Sequence, residues 1–473
     1  MSANALSRTR VSVVALTRER PKEFRTLLEA LARLRMTDFE VIVVGAAPRP
    51  EDHGASPALA RRITYAQCVD QNISRSRNIG IALATGEIVA FIDDDAAPEP
   101  DWLDRLLPGF NRKDVGGVGG FVRGRNGVDY QWHGAVVDRY GAHKALTAED
   151  LSDPALGAVD GEHFVSTVGV NGAYRREALL EIGGFDENFH YFLDESDVCV
   201  RLLSAGWRTI IAPEAEVHHA YAESSERRAN RAPRDLFQIA ASRVYFGRIH
   251  GHPYWYDNRI ELFIEDQTQR MTKFVQLGRI SRRQADQILQ RLREGLVEGE
   301  RRAKAGPILM QANAPTPPHR PADAPFRPPA TARRPRVALV IAATGRGAIE
   351  NAARRLADRG FEVTLIDFQL RARRLRVWFE DGVWRHVGGV LGRDQFGAPM
   401  PAPRRCLRVK RELDRVAARR DFDAVIRPTA RKFQIGDLRA APLSGRLRGY
   451  AAEPLRPGGE GEVIAALAAP ATP

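Results

Sequence analysis

The sequence predicts an α/β protein of two separate units, and three observations carry that expectation. An apolar run at 11–16 (VSVVAL) is followed by an amphipathic stretch and a second apolar run, Phe39 to Val44. Strand, helix and strand within about 35 residues open a parallel sheet. A third run, Ile88 to Ile92, leads directly into Asp93-Asp94-Asp95. The strand–helix–strand pattern then restarts at Arg336, after a proline-dense stretch. At 473 residues the chain is also too long for one ordinary core.

The elements follow in order. Phe24, Leu27, Leu28, Leu31 and Leu34 share one face at i, i+3, i+4 spacing, which predicts a helix between the first two strands. Asn72 to Ala84 reads as the next helix, with Gly86 as its stop. Beyond the acidic triplet, Pro98 and Pro100 end a turn, and Asp101 opens a helix at Trp102. Gly116, Gly117, Gly119 and Gly120 break the next apolar stretch, so short strands are expected from 115 to 170. Residues 174–182 read as a helix closed by Gly183-Gly184, and a second helix carries Asp197 to Leu203. A strand is expected at 208–212, followed by Val217-His218-His219. The stretches 234–249 and 258–302 read as charged helices, the latter lying on the first domain or on a membrane face. Residues 306–335 hold nine prolines, from Pro307 to Pro335, and read as an extended linker. Strands at 337–342, 361–366 and 423–426 with helices at 349–359 and 406–419 form the second unit. The expected domains are 1–255, a helical extension 256–305, the linker 306–335, a Rossmann-like α/β unit 336–450 and a loose tail 451–473.

Composition narrows the function classes. Apolar residues are 44%, a globular value, and no run of about 18 apolar residues signals a membrane span. The N-terminal apolar stretch is short and reads as a strand rather than a secretion signal. Cys68, Cys199 and Cys406 lack paired spacing, against a disulfide framework or structural zinc and in favour of a reducing cytoplasm. The net charge of +12 suits phosphorylated small molecules or anionic lipid headgroups, and an Arg-rich compositional bias explains it equally well. No RNA-binding module or zinc-finger spacing accompanies the charge, so a nucleic-acid partner is not expected.

The chemistry-bearing constellation centres on Asp93-Asp94-Asp95. Three carboxylates after a buried strand repel one another unless a cation offsets them. The C-terminal edge of an open α/β sheet is where such sheets bind ligands. Asp93 and Asp95 can reach one Mg²⁺– or Mn²⁺–nucleotide complex; the bland alternative is an acidic turn capping the next helix. Upstream stand Asp70 and then Arg77-Asn78, where Arg77 can meet a diphosphate or orient an aspartate. Downstream stands Asp194-Glu195-Ser196-Asp197, a source of a general base from Glu195 or Asp194, or ordinary helix N-terminal acids. His218 offers a third metal or phosphate contact.

Four ordered motifs, SVVALTRERP, SRSRNIGIALATGEIVAFIDDD, NGAYRREALLEIGGFDE and DESDVCVRLLSAGW, resemble family 2 glycosyltransferases with the GT-A fold over about residues 9–220. The resemblance implies inverting transfer from a nucleoside-diphosphate sugar to a saccharide or lipid-linked acceptor, in cell-envelope polysaccharide or glycan synthesis. It implies a divalent cation, Mn²⁺ or Mg²⁺, on Asp95, with His218 beside it. It places the base at Glu195 with Asp194 in reserve. Thr17, Arg18, Asp70, Arg77, Asn78, Asp93 and Asp94 become nucleotide-sugar positions, Asp94 being the one expected to tolerate change. Asn171, Gly172 and Asp197 fall on the sugar or acceptor side. One departure stands out: the family's acidic turn after the second strand is Val44-Gly45-Ala46-Ala47 here, which leaves the nucleotide base open, with Asp70 as the substitute. The second unit is similar to the N-terminal half of GT-B glycosyltransferases, with a glycine-bearing loop at Thr344-Gly345-Arg346-Gly347 and no second active site expected. A cytoplasmic enzyme touching anionic membrane fits the basic surface. The competing reading is a catalytically inactive sugar-nucleotide-binding or scaffold protein.

Overall fold

The computed structural model describes residues 10–18, 20–45, 57–70, 72–152, 162–224, 226–228, 230–310, 336–341, 346–367, 376–387 and 424–426. The chain divides into two compact units, Met1–Arg125 with Tyr130–Arg327 and Asn126–Asp129 with Pro328–Pro473. In chain order the first unit runs β1 (Val11–Thr17), α1 (Pro21–Leu31), β2 (Phe39–Gly45), α2 (Pro57–Ala60), β3 (Ile63–Gln67), α3 (Ile73–Leu83) and β4 (Ile88–Asp93). It continues with β5 (Ala96–Pro98), α4 (Trp102–Leu106), β6 (Val115–Arg123), β7 (Tyr130–Trp132), β8 (Ala135–Asp138), β9 (His143–Ala145), α5 (Ala148–Ser152) and β10 (His163–Ser166). It closes with β11 (Gly172–Arg175), α6 (Arg176–Glu181), α7 (Asp194–Ser204), β12 (Arg208–His219), α8 (Phe237–His250), α9 (Pro253–Gln276) and α10 (Arg282–Ala305).

The main sheet has the order β3-β2-β1-β4-β11-β6-β12-β5, with β7 on β6. Its first four strands are parallel; β11 enters antiparallel between β4 and β6. β1 is buried along its length because helices cover both faces of a parallel sheet. Its side chains alternate between two cores. Val11, Val13 and Ala15 join Phe24, Leu27, Leu28 and Trp102; Val14 joins Phe91, Phe185 and Val198. The helix face predicted from Phe24 to Leu34 is buried throughout, each large side chain contributing about 1.5–3 kcal/mol. Leu16 is level with Asp93 across the β1–β4 ladder, so the acidic triplet leaves the sheet beside the end of β1.

Several elements differ from expectation. The glycine-broken stretch is one nine-residue strand, β6, buried throughout. Its glycines admit neighbours: a Cβ on Gly120 would lie 2.2 Å from the Ala215 carbonyl oxygen. Tyr174 and Arg175 belong to strand β11 rather than to the following helix, since Tyr174 pairs with Val89 and Gly117. The strand expected at 208–212 runs to His219, and its register shifts between Ala212 and Glu216. The long charged helix is two, α9 and α10, broken at Gly278 (φ +64°) and restarted by a capping box of Ser281 and Gln284.

α10 lies against α8. Gly295 and Gly299 permit the approach, as a Cβ at Gly299 would stand 2.5 Å from Val244 Cβ. The chain after α10 then straps back over the loop before α7. Glu187 N–H donates to Ile308 O (2.9 Å), Met310 N–H to Gly183 O (2.8 Å) and Ile308 N–H to Asp186 Oδ1 (3.0 Å). These bonds involve the first residues of the expected linker; 311–335 lie outside the described residues.

The second unit holds β13 (Arg336–Ile341), α11 (Arg346–Asp358), β14 (Glu362–Asp367), β15 (Arg376–Glu380), β16 (Val383–Val387) and β17 (Ala424–Ile426). Its sheet order is β15-β16-β14-β13-β17, parallel except at β15. The β15–β16 hairpin was not anticipated, although Asp381-Gly382, both at positive φ, is a two-residue hairpin signal. The loop at Thr344-Gly345, the helix expected at 406–419 and the tail 451–473 lie outside the described residues.

Gly299→Val in the full chain is expected to lower stability by roughly 1–3 kcal/mol through overpacking against Val244. Thermal unfolding checks this, and an unchanged midpoint would contradict the seating of α10 on α8.

Candidate active site

The site is built where β1 and β4 end. Asp94 N–H donates to Leu16 O (3.1 Å), turning the chain back across the tip of β1. The Asp94 carboxylate is fully buried. It accepts Arg18 N–H (3.0 Å) and Arg20 Nε (3.3 Å), and Thr17 donates to it as well. Burial outweighs these partners and pushes Asp94 up to about 6. Asp94, expected to tolerate change, is thus the brace of the turn; Thr17 and the Arg18 backbone serve it.

Asp95 is also buried, yet its pKa moves the other way. It accepts Ala222 N–H (2.7 Å), faces His219 Nε2 (3.2 Å) and pairs with Arg20 (3.2 Å). Desolvation alone would raise its pKa; His219, Arg20 and the Ala222 N–H together hold it well below the usual carboxylate range. Asp93 is raised, chiefly by desolvation and further by the Asp95 charge, against the pull of His219 and Arg77. Asp93, Asp95 and His219 offer ligand atoms that lie within 4.8 Å of one another. Two hard oxygens and an imidazole suit Mn²⁺, and the carboxylates suit Mg²⁺.

His218, expected at the metal, points elsewhere. Its Nε2 lies 2.8 Å from Glu99 Oε1, within a buried group with Glu216 and Arg123. Successive strand residues face opposite sides, so His219 takes the place beside Asp95. Counting parity from residue 208 does not identify it, because the irregularity between Ala212 and Glu216 breaks the alternation.

The second half of the site is the N-terminus of α7. Phe192 (φ 73°) and Leu193 (φ 66°) hold the left-handed region immediately before it, a conformation costing about 1–3 kcal/mol each. Asp194 is 2% exposed and ion-paired to Arg77. Glu195 is more open, at 18%, with Oε1 3.2 Å from Arg77 Nη2. Arg77 itself is 1% exposed and packs against the rings of Phe185 (5.1 Å) and Phe91 (5.7 Å), which meet edge to face. It therefore orients the acids instead of reaching a ligand. Gly169, unmarked in the sequence, closes this pocket: a Cβ there would lie 1.9 Å from Arg77 Nη2 and 2.3 Å from Glu195 Oε1.

Other expected contacts are engaged within the protein. Asn78 donates to Phe185 O (2.8 Å) and accepts Phe185 N–H (2.8 Å), so it shapes the Gly183-Gly184 turn. Asn171 donates to Phe121 O (2.8 Å) and Ala215 O (2.9 Å) and accepts Trp102 Nε1–H (2.8 Å). Gly172 is a buried ladder residue between Phe91 and Gly119. Asp197 is buried against Arg201 Nε (2.8 Å) and His250 Nε2 (2.9 Å), tying α7 to α8. These three sit behind the site, in the core. Asp70 is half exposed and ion-paired to Arg75, which also binds Glu187 (2.8 Å). In the turn after β2, Gly45 (φ +154°) is required because a Cβ would strike Thr17 O at 1.9 Å; Ala46-Ala47 lie outside the described residues.

The family model "Glycosyltransferase like family 2" matches residues 8–237. The chain is 34% identical over 168 residues to a glucosyl-dolichyl phosphate glucuronosyltransferase of Haloferax volcanii, covering 32% of this chain and 49% of the relative. It is 31% identical over 222 residues to a pre-mycofactocin glycosyltransferase of Mycobacterium tuberculosis, covering 44% and 42%. It is 27% identical over 253 residues to the succinoglycan biosynthesis protein ExoM of Rhizobium meliloti, covering 51% and 74%. The chain thus spans about half or less of the first two. Among solved structures, a mannosyltransferase from Pyrobaculum calidifontis in complex with GDP-Man and Mn²⁺ is similar at 17% identity and TM-score 0.38, covering 62% of this chain and 87% of that one. With its mixed sheet and its acids at the β1–β4 edge, the chain carries, over residues 8–237, a GT-A domain of glycosyltransferase family 2.

Proposed function

We propose that this domain transfers a sugar, with inversion, from a nucleoside-diphosphate donor to a hydroxyl of a saccharide or lipid-linked acceptor. The observation that carries the reading is the convergence of Asp93, Asp95 and His219 at the sheet edge, with Glu195 held by a buried arginine. Asp93, Asp95 and His219 would hold a divalent cation, which would supply positive charge to the departing diphosphate. Asp94 and Arg20 keep the turn in place while the low-lying Asp95 stays ionised. Glu195 takes the proton of the attacking hydroxyl as its oxygen bonds the anomeric carbon and the carbon–phosphate-oxygen bond breaks. Attack opposite the leaving group requires no covalent enzyme intermediate. Arg77 and Asp194 aim Glu195 and exclude water behind it.

The relatives in glycolipid and succinoglycan synthesis support polysaccharide or glycolipid synthesis as the setting. Among the described residues no helix is long and apolar enough to cross a membrane. Tyr254 and Trp255, 76% and 55% exposed at the start of α9, support peripheral contact with a lipid-linked acceptor's membrane.

Asp95→Ala is expected to abolish transfer and Mn²⁺-dependent binding of nucleoside diphosphate; full turnover in that variant or in EDTA would refute the metal role. Glu195→Gln should retain donor binding and lose transfer by about 10²–10⁴-fold, the usual contribution of a positioned base. Wild-type rates in steady-state kinetics would move the base elsewhere. Gly169→Ala should lower kcat more than it raises donor KM, since it displaces Arg77 and Glu195 but no donor group. A rise in donor KM with unchanged kcat would count against this geometry.

A further inference from the structure

Arg77 is 1% exposed and paired with Asp194 and Glu195, so it is not placed to meet the donor diphosphate. We infer that Arg227 and Arg231, which converge on the ring of Tyr221, receive that diphosphate; this rests on the nucleotide-sugar reading above. The loop bearing them follows β12 and is anchored on Asp95. Ala220 N–H donates to Asp95 O (2.9 Å) and Ala222 N–H to Asp95 Oδ2 (2.7 Å). Tyr221 stands between these two anchors at φ 55°, its ring edge-on to His219 at 5.4 Å. A tyrosine in the left-handed region is uncommon and persists where its surroundings dictate it.

The guanidinium carbon of Arg227 lies 3.4 Å from the Tyr221 ring centroid and that of Arg231 5.4 Å. Arg227 also donates to Ala222 O (3.2 Å), and its buried Nε has no hydrogen-bond partner among the described residues. The loop is fixed by an Arg227–Pro233 bridge, Arg228 N–H to Ala232 O (2.9 Å) and Arg234 N–H to Glu226 O (2.8 Å). Arg231, like Tyr221, is left-handed (φ 70°).

Among the described residues neither Arg227 nor Arg231 forms an ion pair, whereas Arg20, Arg75, Arg77, Arg123 and Arg201 all do. The Tyr221 ring attracts each cation by about 0.5–2 kcal/mol but supplies no negative charge to pair with either. A phosphate group supplies that charge, and planar guanidinium groups match phosphate oxygens in pairs. Tyr191 lies in the field of Arg227, Tyr221, Glu226 and Asp93 together, which puts Arg227 and the metal-side acid about one neighbourhood. The ligand is the donor diphosphate, which a cation held by Asp93, Asp95 and His219 would also meet.

The test is calorimetric titration of the full chain with UDP and GDP, each with Mn²⁺, beside UMP and GMP. Arg227→Ala and Arg231→Ala should each weaken the better-bound diphosphate about tenfold while Mn²⁺ and monophosphate affinities stay within twofold. Arg227→Lys should recover part of the loss. Diphosphate affinity within twofold of wild type overturns the assignment, as does an equal loss for monophosphate and Mn²⁺, which marks a structural role. Geranyl diphosphate without Mn²⁺ is the second arm: dependence on the arginines there alone moves the pair to a lipid diphosphate acceptor and overturns the donor assignment. Failure of the wild-type chain to bind either diphosphate with Mn²⁺ refutes the nucleotide-sugar reading itself.

Discussion

A buried guanidinium organises this domain. Arg77 has lost almost all contact with water, and a desolvated charge of that kind is tolerated only with close partners. Asp194 and Glu195 supply the negative charge, and Phe91 and Phe185 supply ring faces. Those partners come from β4, the loop after α6 and the start of α7, so satisfying one cation aligns three segments remote in sequence. Phe192 and Leu193 enter the left-handed region as the chain delivers the two acids, and Gly169 leaves room for the pair. A site residue and a core residue are here the same side chain.

The acidic triplet shows how position divides three identical residues. Asp94 turns inward and braces the loop, and burial raises it to about 6. Asp95 collects His219, Arg20 and the Ala222 N–H and stays ionised. Asp93 stays at the strand end, raised by desolvation beside the charge of Asp95. Such divergence in pKa among neighbours is what a site needs when one group must hold a charge that another must not.

The excess of arginine has a structural meaning. Arg20, Arg77, Arg123, Arg175, Arg201 and Arg302 bind carboxylates or backbone carbonyls inside the first unit. Arg302 reaches from α10 to Asn188 O (2.6 Å), joining the helical extension to the loop before α7. The strap at 306–310 does the same by backbone bonds. The extension thereby supports the loop that presents the acids, rather than standing apart from it.

Much of this was legible in the sequence. Apolar runs and the i, i+3, i+4 stripe are local, and they marked β1, α1, β2 and β4 because burial follows periodicity. The order of four motifs pointed to the family, and the Asp triplet after a strand to the ligand edge. What tertiary structure alone decided was which side chains face the opening. Asn78, Asn171 and Asp197 carry ligand-like chemistry, yet the fold turns each inward to satisfy backbone or arginine groups. His219 replaced His218 because an irregular register reset strand parity, and Arg77 turned from ligand contact to brace because α7 closes over it. Residue types and local periods are written in the chain; burial, facing and pairing arise only when distant segments meet, since they depend on which neighbours remain to satisfy each charge and hydrogen bond.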